Sequence, residues 1–506
     1  METELKLRMA PAALERLGRH PLLTGTDAAS VQTLQATYFD TPDCDLQRNG
    51  ASLRVRRESG RWIQTVKWAG GARGGLHERN ELEVEVPGPL PDCEKIVHPD
   101  LDPLFRSAHL TGALRAVFET DITRSSRMIA VGGATVEASL DRGEIRSGER
   151  TEAVSELELE LKDGSAPALF DLALSLAAKA PVHLENRSKA ERGYALSRDA
   201  RSAPQRASPP ALDAGMSVGD AFAAIAWSTL AHLQANEQGV LEGEDAEFLH
   251  QMRVALRRLR SALSAFSAAL PDAARAPVAA ELKWLGGALA PARDWDVFVT
   301  ETLPPLNRAF ENRPALPTLA AEAVRLRSIA QRDMRRAVRS RRYQKVLITL
   351  ASWLTGRGWL EHADASARAM LDSPVRGYAQ SELEARYERV RKRGRRIGEL
   401  SAPELHELRI AVKKLRYSID FFAGLFAADA VRTLRSRLSR LQDILGTIND
   451  ASTMQSLLAQ GYGGGRAAAA TEGRGILLGW SAGRAEALRT DLDRAWKAFR
   501  RSRTFW

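Results

Sequence analysis

Met1-Glu2-Thr3-Glu4-Leu5-Lys6-Leu7-Arg8 opens the chain with a polar pattern that a simple edge strand does not need. In extended backbone, successive side chains point to opposite faces. Glu2, Glu4, Lys6 and Arg8 therefore share one face, and Thr3, Leu5 and Leu7 the other. One such strand is ordinary in a half-solvated sheet. The pattern recurs, however. Glu81, Glu83 and Glu85 alternate with Leu82, Val84 and Val86, and Glu156, Glu158, Glu160 and Lys162 alternate with Leu157, Leu159 and Leu161. Arg54 and Arg56 flank Val55 in the same way. Charged faces of both signs in one small domain point to a barrel lined with them, where acids hold a divalent metal and bases a polyanion.

The neighbouring segments supply the other staves. Thr33 to Asp40 reads as a strand that breaks at Thr41-Pro42-Asp43, and Ser52–Arg57 with Trp62–Lys67 reads as a hairpin around Ser59-Gly60. Further strands are expected at 79–86, 115–123, 135–140 and 154–162, with Lys67 ending a strand and His77 in a Gly-rich loop. Ala168 to Ala178 has helical periodicity. About eight strands of this length suit a small closed barrel.

Glu2-Thr3-Glu4-Leu5-Lys6 resembles the ExExK signature of the CYTH domains, the triphosphate tunnel metalloenzymes. Leu53-Arg54-Val55-Arg56, Lys67, Glu81 and Glu83, Arg124, Leu140-Asp141-Arg142-Gly143, Glu156 to Glu160 and Ser188-Lys189-Ala190-Glu191-Arg192-Gly193-Tyr194 carry the resemblance over residues 1–200. It implies that Lys6, Arg54, Arg56, Lys67, Arg124 and Lys189 cradle phosphate oxygens, and that Glu2, Glu4, Asp141, Glu156, Glu158 and Glu160 bind Mg²⁺ or Mn²⁺. Glu2, Glu4, Lys6, Arg56 and Lys67 are then the catalytic set, while Glu81 and Glu83 orient the bases or serve a second metal. Tyr38, Trp62 and Trp68 read as packing groups, and Arg57, Arg79 and Arg192 as partners of nearby acids.

At 506 residues the chain is too long for one core. Its 44% hydrophobic content is ordinary, and no apolar run reaches membrane-spanning length. Cys44 and Cys93 make neither a disulfide framework nor a metal cluster, and the first residues show no signal-peptide pattern. A cytoplasmic protein is expected, with polyphosphate granules as a place of association. The net charge of +10 is unevenly spread. Residues 1–200 hold 26 basic and 31 acidic side chains, leaving 47 and 32 for the remainder. Such a split implies two domains with different partners, the second an anion.

Beyond the linker Arg201-Ser202-Ala203-Pro204-Gln205-Arg206-Ala207-Ser208-Pro209-Pro210, strand signals vanish and Ala/Leu/Arg-rich helices take over, broken at Gly461–Gly465. His250-Gln251-Met252-Arg253-Val254-Ala255-Leu256-Arg257-Arg258-Leu259-Arg260 returns 156 residues later as His406-Glu407-Leu408-Arg409-Ile410-Ala411-Val412-Lys413-Lys414-Leu415-Arg416. The same offset carries Leu289, Arg293 and Asp294 onto Leu445, Asn449 and Asp450. This duplication resembles the CHAD domain. His250, Arg253, Arg257 and Arg260 fall on one helical face, as do His406, Arg409, Lys413 and Arg416. Two such stripes make opposing walls of a groove for long-chain polyphosphate, with Asp294 and Asp450 steadying the bases.

The expected architecture is α+β: a closed antiparallel β-barrel with flanking helices over 1–200, a linker over 201–215, and an all-α helical bundle over 216–506 with repeats near 216–372 and 373–500. The leading functional expectation is metal-dependent hydrolysis of inorganic triphosphate to diphosphate and phosphate. Alternatives are a tunnel enzyme acting on thiamine triphosphate, a nucleotide or an RNA 5′ end, an adenylate cyclase, a non-catalytic polyphosphate binder, or nucleic-acid binding by the basic half. No zinc-finger, basic-zipper or recognition-helix signature supports the last.

Overall fold

The computed structural model describes residues 2–24, 29–199, 203–461 and 468–506. Arg201 and Ser202 of the linker, the Gly-rich segment from Tyr462 onward and the side chain of Asp450 lie outside the described residues. The chain forms two compact units. One comprises Met1–Ala203 and Ser340–Gly356, the other Pro204–Arg339 and Arg357–Trp506.

The first unit is a closed antiparallel barrel with helices. Its strands are β1 (Glu2–Arg8), β2 (Ser30–Asp40), β3 (Ser52–Glu58), β4 (Arg61–Arg73), β5 (Leu76–Val86), β6 (Arg115–Val131), β7 (Ala134–Ser147) and β8 (Arg150–Asp163). They run in the order β5-β4-β3-β2-β6-β7-β8-β1, and β1 pairs with β5 to close the ring. Only seven residues long, β1 uses Glu2–Leu5 against β5 and Glu4–Arg8 against β8. The two-residue β9 (His183–Leu184) then continues along β1 where β5 has ended. Closure leaves no long edge to aggregate.

Alternation does the sorting. Leu5 and Leu7 face outward and are fully buried, with the helix Pro167–Ala177 packed on that side. A helix from far along the chain, Arg341–Thr355, packs on Pro167–Ala177 and buries Tyr343, Val346, Leu347, Leu350 and Leu354. On another flank Phe39, Leu53, Val55, Val66 and Trp68 pack with Ile96, Leu101 and Phe105. At the β3–β4 hairpin, Ser59 and Gly60 both take positive φ (46° and 83°), as the tight turn requires.

Two local expectations are corrected. Lys67 does not end a strand, because β4 continues to Arg73 over a bulge between Trp68 and Gly70. His77 is not in a loop: it lies in β5, 1% exposed, opposite Glu4. The glycines around it mark the bulge and the β4–β5 turn rather than a long connection.

The second unit is helical. Helices Val218–Ala235, Ala246–Ala265 and Asp272–Val297 are followed by Val375–Arg393, Ala402–Phe422 and Ala428–Gly461. The second and third of each set start 156 residues apart, the offset of the sequence duplication. Met252, Leu256, Leu259 and Leu263 are buried on one face of their helix, as are Leu408, Val412, Leu415 and Ile419 on theirs. No helix among the described residues is long and apolar enough to cross a membrane.

Candidate active site

The barrel encloses a cavity of about 410 Å³ lined by eight lysines and arginines and nine carboxylates. The alternation of the strands explains this. Residues in phase with Glu2, Glu4 and Lys6 on β1 meet Arg54 and Arg56 on β3, Lys67 on β4, Glu81 and Glu83 on β5, Arg124 on β6, Asp141 on β7, and Glu158 and Glu160 on β8. The register sets like charges side by side. Glu160 is directly opposite Glu4 on one neighbour and Glu137 on the other, an arrangement that is destabilising unless cations intervene.

Lysines provide that compensation. Lys6 Nζ lies 2.8 Å from Glu4 and also pairs with Glu158, while Lys162 Nζ bridges Glu137 (3.0 Å) and Glu160 (2.6 Å). Lys67 pairs with Glu2 and reaches Glu81 at 3.4 Å. Burial opposes the charge of Lys6, but Glu158 and Glu4 outweigh it, and its pKa is raised. Glu158 shows the mirror image. Burial works against ionisation, yet Lys189, Lys6 and Arg124 hold its pKa far below the usual carboxylate range.

The Ser188–Tyr194 motif closes one side of this network. Ser188 caps the helix Lys189–Ser197 in a reciprocal box with Glu191. That start aims Lys189 at three carboxylates: Asp141 at 2.7 Å, Glu158 at 2.9 Å and Glu156. Arg192, 1% exposed, is held by Glu152, by Glu156 at 3.0 Å and by the Ala153 carbonyl at 2.8 Å. Gly193 must lack a side chain, since a Cβ there would lie 2.2 Å from the Phe118 ring. Tyr194 donates to buried Asp40 at 2.8 Å.

Carboxylate oxygens are the donors a hard divalent cation takes. Asp141, Glu156 and Glu158 place ligand atoms within 4.8 Å of one another. The Lys189 ammonium already sits at their focus, and Glu156 is not part of the cavity wall. Glu2, Glu4, Glu158 and Glu160 do line the cavity, where Lys67, Lys6, Lys189 and Lys162 pair with them, so a metal there would have to displace these cations or share the carboxylates with them. These four border the open space that a metal would enter, while among the described residues only the oxygens of the trio converge within 4.8 Å.

Lys6, Arg54, Arg56, Lys67, Arg124 and Lys189 all reach the cavity wall. The Nε atoms of Arg54 and Arg56 are buried without a hydrogen-bond partner. Arg79, Glu58, Glu137 and Lys162 also line the cavity and were missed as site residues. Arg79 and Lys162 were legible in principle, being in phase with Glu81 and Glu160. Tyr38 packs as expected, stacked on Phe118 at 4.4 Å, but also forms part of the wall.

In the helical unit, Arg257, Arg260, Arg409 and Lys413 line one cavity of about 750 Å³. Arg275, Lys283 and Lys414 join them, and no carboxylate lines it. The other members of the two stripes lie outside its wall. Arg253 stands 3.8 Å from Asp294, and burial together with Arg257 and Arg293 lowers its pKa to about 10 despite that acid. Burial and neighbouring Arg293 lower the pKa of His250. His406 bonds Asn449, and Arg416 lies over the Tyr417 ring.

Comparison with known proteins gives a consistent picture. Residues 1–194 match the CYTH domain family and residues 224–459 the CHAD domain family. Over 196 residues, 38% of this chain, the sequence is 31% identical to an inorganic triphosphatase of Haemophilus influenzae. The match takes in 54% of that relative, so the chain spans about half its length. An uncharacterised protein of Mycobacterium tuberculosis is 26% identical over 93% of this chain and 90% of its own. The solved CHAD domain from the plant Ricinus communis is 31% identical, with a TM-score of 0.51 over 60% of this chain and 99% of that one. The chain belongs to the CYTH and CHAD families, with a CYTH domain over residues 1–194 followed by a CHAD domain over 224–459.

Proposed function

We propose that the barrel hydrolyses inorganic triphosphate to diphosphate and orthophosphate with Mg²⁺ or Mn²⁺, and that the basic cavity of the helical unit holds long-chain polyphosphate. The observation that carries this is the lining of the barrel, where eight cations and nine carboxylates leave almost no net charge. A polyanion enters such a tunnel favourably only with added cations, and the carboxylates are there to receive them. Similarity to an inorganic triphosphatase supports the same reading.

Glu2, Glu4, Glu158 and Glu160 would hold the metal, which when bound neutralises phosphate oxygens and makes a nearby water more acidic. Substrate entry then exchanges ion pairs. Lys162, 37% exposed, can leave its carboxylates for phosphate oxygens with little loss, and Lys67, 20% exposed, would exchange Glu2 and Glu81 for them. Arg54 and Arg56 supply forked donors from the opposite wall. Tyr38 is the sole aromatic residue among the described residues of the lining, and its ring is occupied by Phe118. That leaves no platform for stacking a nucleobase or thiamine and favours the inorganic substrate. A basic cavity that holds polyphosphate would also support association with polyphosphate granules.

The deciding experiment is phosphate release by the purified protein from inorganic triphosphate, long-chain polyphosphate, ATP and thiamine triphosphate, with and without Mg²⁺. Metal-dependent release fastest from triphosphate is expected, and polyphosphate binding with no release from any substrate would leave only the non-catalytic binder. Arg54→Ala and Arg56→Ala should each lose a charge-assisted contact of about 1.5–3 kcal/mol, roughly 10-fold to 150-fold in kcat/KM. Normal turnover by both variants would mean that β3 does not face the substrate.

The pH dependence has a defined sign. Burial raises the pKa of Glu160, Lys162 opposes the rise, and Glu2 and Glu137 add to it. A raised carboxylate loses its charge early as pH falls, so activity should be full above that pKa and decline on the acid side sooner than for an ordinary glutamate. Lys162→Met removes the opposing cation and should move the acid limb of kcat/KM to higher pH. A limb that stays put or moves lower would detach it from Glu160.

A further inference from the structure

A second cavity, of about 250 Å³, adjoins the tunnel beside the start of the helix Lys189–Ser197. The two share Ser52, Lys67, Arg79, Ser188 and Ala190, and the second continues past them to Gln47, Gly71 and Glu191. Lys67 and Arg79 thus stand at a threshold facing both spaces. Arg79 Nη2 meets Glu191 Oε2 at 3.1 Å across it. The same carboxylate oxygen accepts the Ser188 N–H at 2.7 Å and the Ser188 hydroxyl at 2.8 Å, so the helix keeps its cap when Arg79 lets go.

We propose that this second cavity is a rear port of the tunnel through which inorganic phosphate product leaves, latched by the Arg79–Glu191 ion pair. The inference rests on triphosphate hydrolysis in the barrel. A linear triphosphate lying along a tunnel yields two anionic products, one behind the other. With a single mouth the inner product waits for the outer one, and product release then limits turnover. A second opening removes that order. Its threshold has what a departing anion needs: the Lys67 and Arg79 cations and the Ser52 and Ser188 hydroxyls. Among the described residues Glu191 is the one carboxylate lining the second cavity, and it is engaged by the helix cap and by Arg79, while on the tunnel side Lys67 is shared with Glu2 and Glu81.

Two variants of the full-length protein test the port without touching a tunnel-lining residue. Gly71 lines this cavity and a Cβ there meets nothing within 4 Å, so Gly71→Trp brings an indole to the port from an open position. With inorganic triphosphate and Mg²⁺, rapid-mixing assays should show a first turnover at the wild-type rate, then a steady state slowed by roughly tenfold as release becomes limiting. Glu191→Gln keeps an oxygen for the cap but loosens the latch, and should weaken inhibition by added orthophosphate several-fold. Unchanged steady-state rate in Gly71→Trp, or unchanged orthophosphate inhibition in Glu191→Gln, would overturn the port. A slowed first turnover in Gly71→Trp would also overturn it, showing damage to the tunnel instead. Wild-type protein that releases no phosphate from triphosphate sinks the hydrolytic reading itself, a result separate from either variant.

Discussion

Glu4→Gln is expected to abolish phosphate release from inorganic triphosphate at saturating Mg²⁺ while leaving the barrel folded. Glu4 is 8% exposed, directly opposite Glu160 and 2.8 Å from the Lys6 ammonium. Glutamine fills the same volume, but its amide is a poor ligand for a hard cation and carries no charge to offset one. The loss should be at least roughly 10²–10³-fold, the scale of removing one preorganised electrostatic group from a reacting centre. Stability should change little, because Lys6 retains Glu158 and is not left as an unpaired buried charge. Removing the carboxylate also ends the like-charge opposition to Glu160. Wild-type-like turnover would sink the assignment of Glu4 to the metal. A broadened or much lower thermal transition would show that its role is structural.

The barrel was legible because its charged residues obey a period of two. Glu2, Glu4 and Lys6 can share a face only in extended chain, and the same phase places Glu81, Glu83, Glu158 and Glu160 on one inner surface. Strand lengths were harder to read. Most of Arg115–Val131 and Ala134–Ser147 alternates weakly, with Ser, Thr and Gly in place of strong apolar markers, so only their first halves, 115–123 and 135–140, stood out. The bulge after Lys67 needs Ala69 and Gly70 at positive φ, and Gly-Gly in sequence reads as a loop.

Ion pairing inside the tunnel is a property of tertiary geometry, and sequence reasoning divided it too simply into acids for metal and bases for phosphate. Lys189 was assigned to phosphate, yet it also gathers Asp141, Glu156 and Glu158, which lie far away in sequence. Arg79 was read as the partner of a neighbouring acid, but the acid it pairs with is Glu191, distant in sequence; that it also lines the cavity required the phase of β5. The helix Arg341–Thr355 shows another limit. Its amphipathic pattern announces a buried face, but nothing in that pattern says that the face belongs against Pro167–Ala177 rather than in the helical unit around it in sequence.

Neutralising Arg257, Arg260, Arg409 and Lys413 together with glutamine is expected to eliminate binding of long-chain polyphosphate while leaving triphosphate hydrolysis unchanged. These four were read as halves of two stripes, and they line one cavity whose charged residues are all basic. Four charge-assisted contacts at even the low end of about 1.5 kcal/mol each amount to roughly 6 kcal/mol, about a 10⁴-fold loss of affinity. The cores of both helices rest on Leu256, Leu259, Leu408, Val412 and Leu415, which the substitutions do not touch. Wild-type binding should weaken steeply with added salt, since the contacts are ionic. A paired control separates the cavity from basic charge in general. His250→Gln with Arg253→Gln removes two members of a stripe that do not line the cavity, and should leave affinity within a fewfold of wild type. Titration of labelled polyphosphate into the full-length proteins at two salt concentrations distinguishes the cases. Tight, salt-insensitive binding by the quadruple variant would make the stripes ordinary solvated faces, and equal losses in both variants would make the charge, not the cavity, responsible. Equal or better binding of duplex DNA by the unmutated protein would mean that the cavity reads any phosphate backbone, because a polyphosphate chain offers charge spacing but no bases to distinguish it.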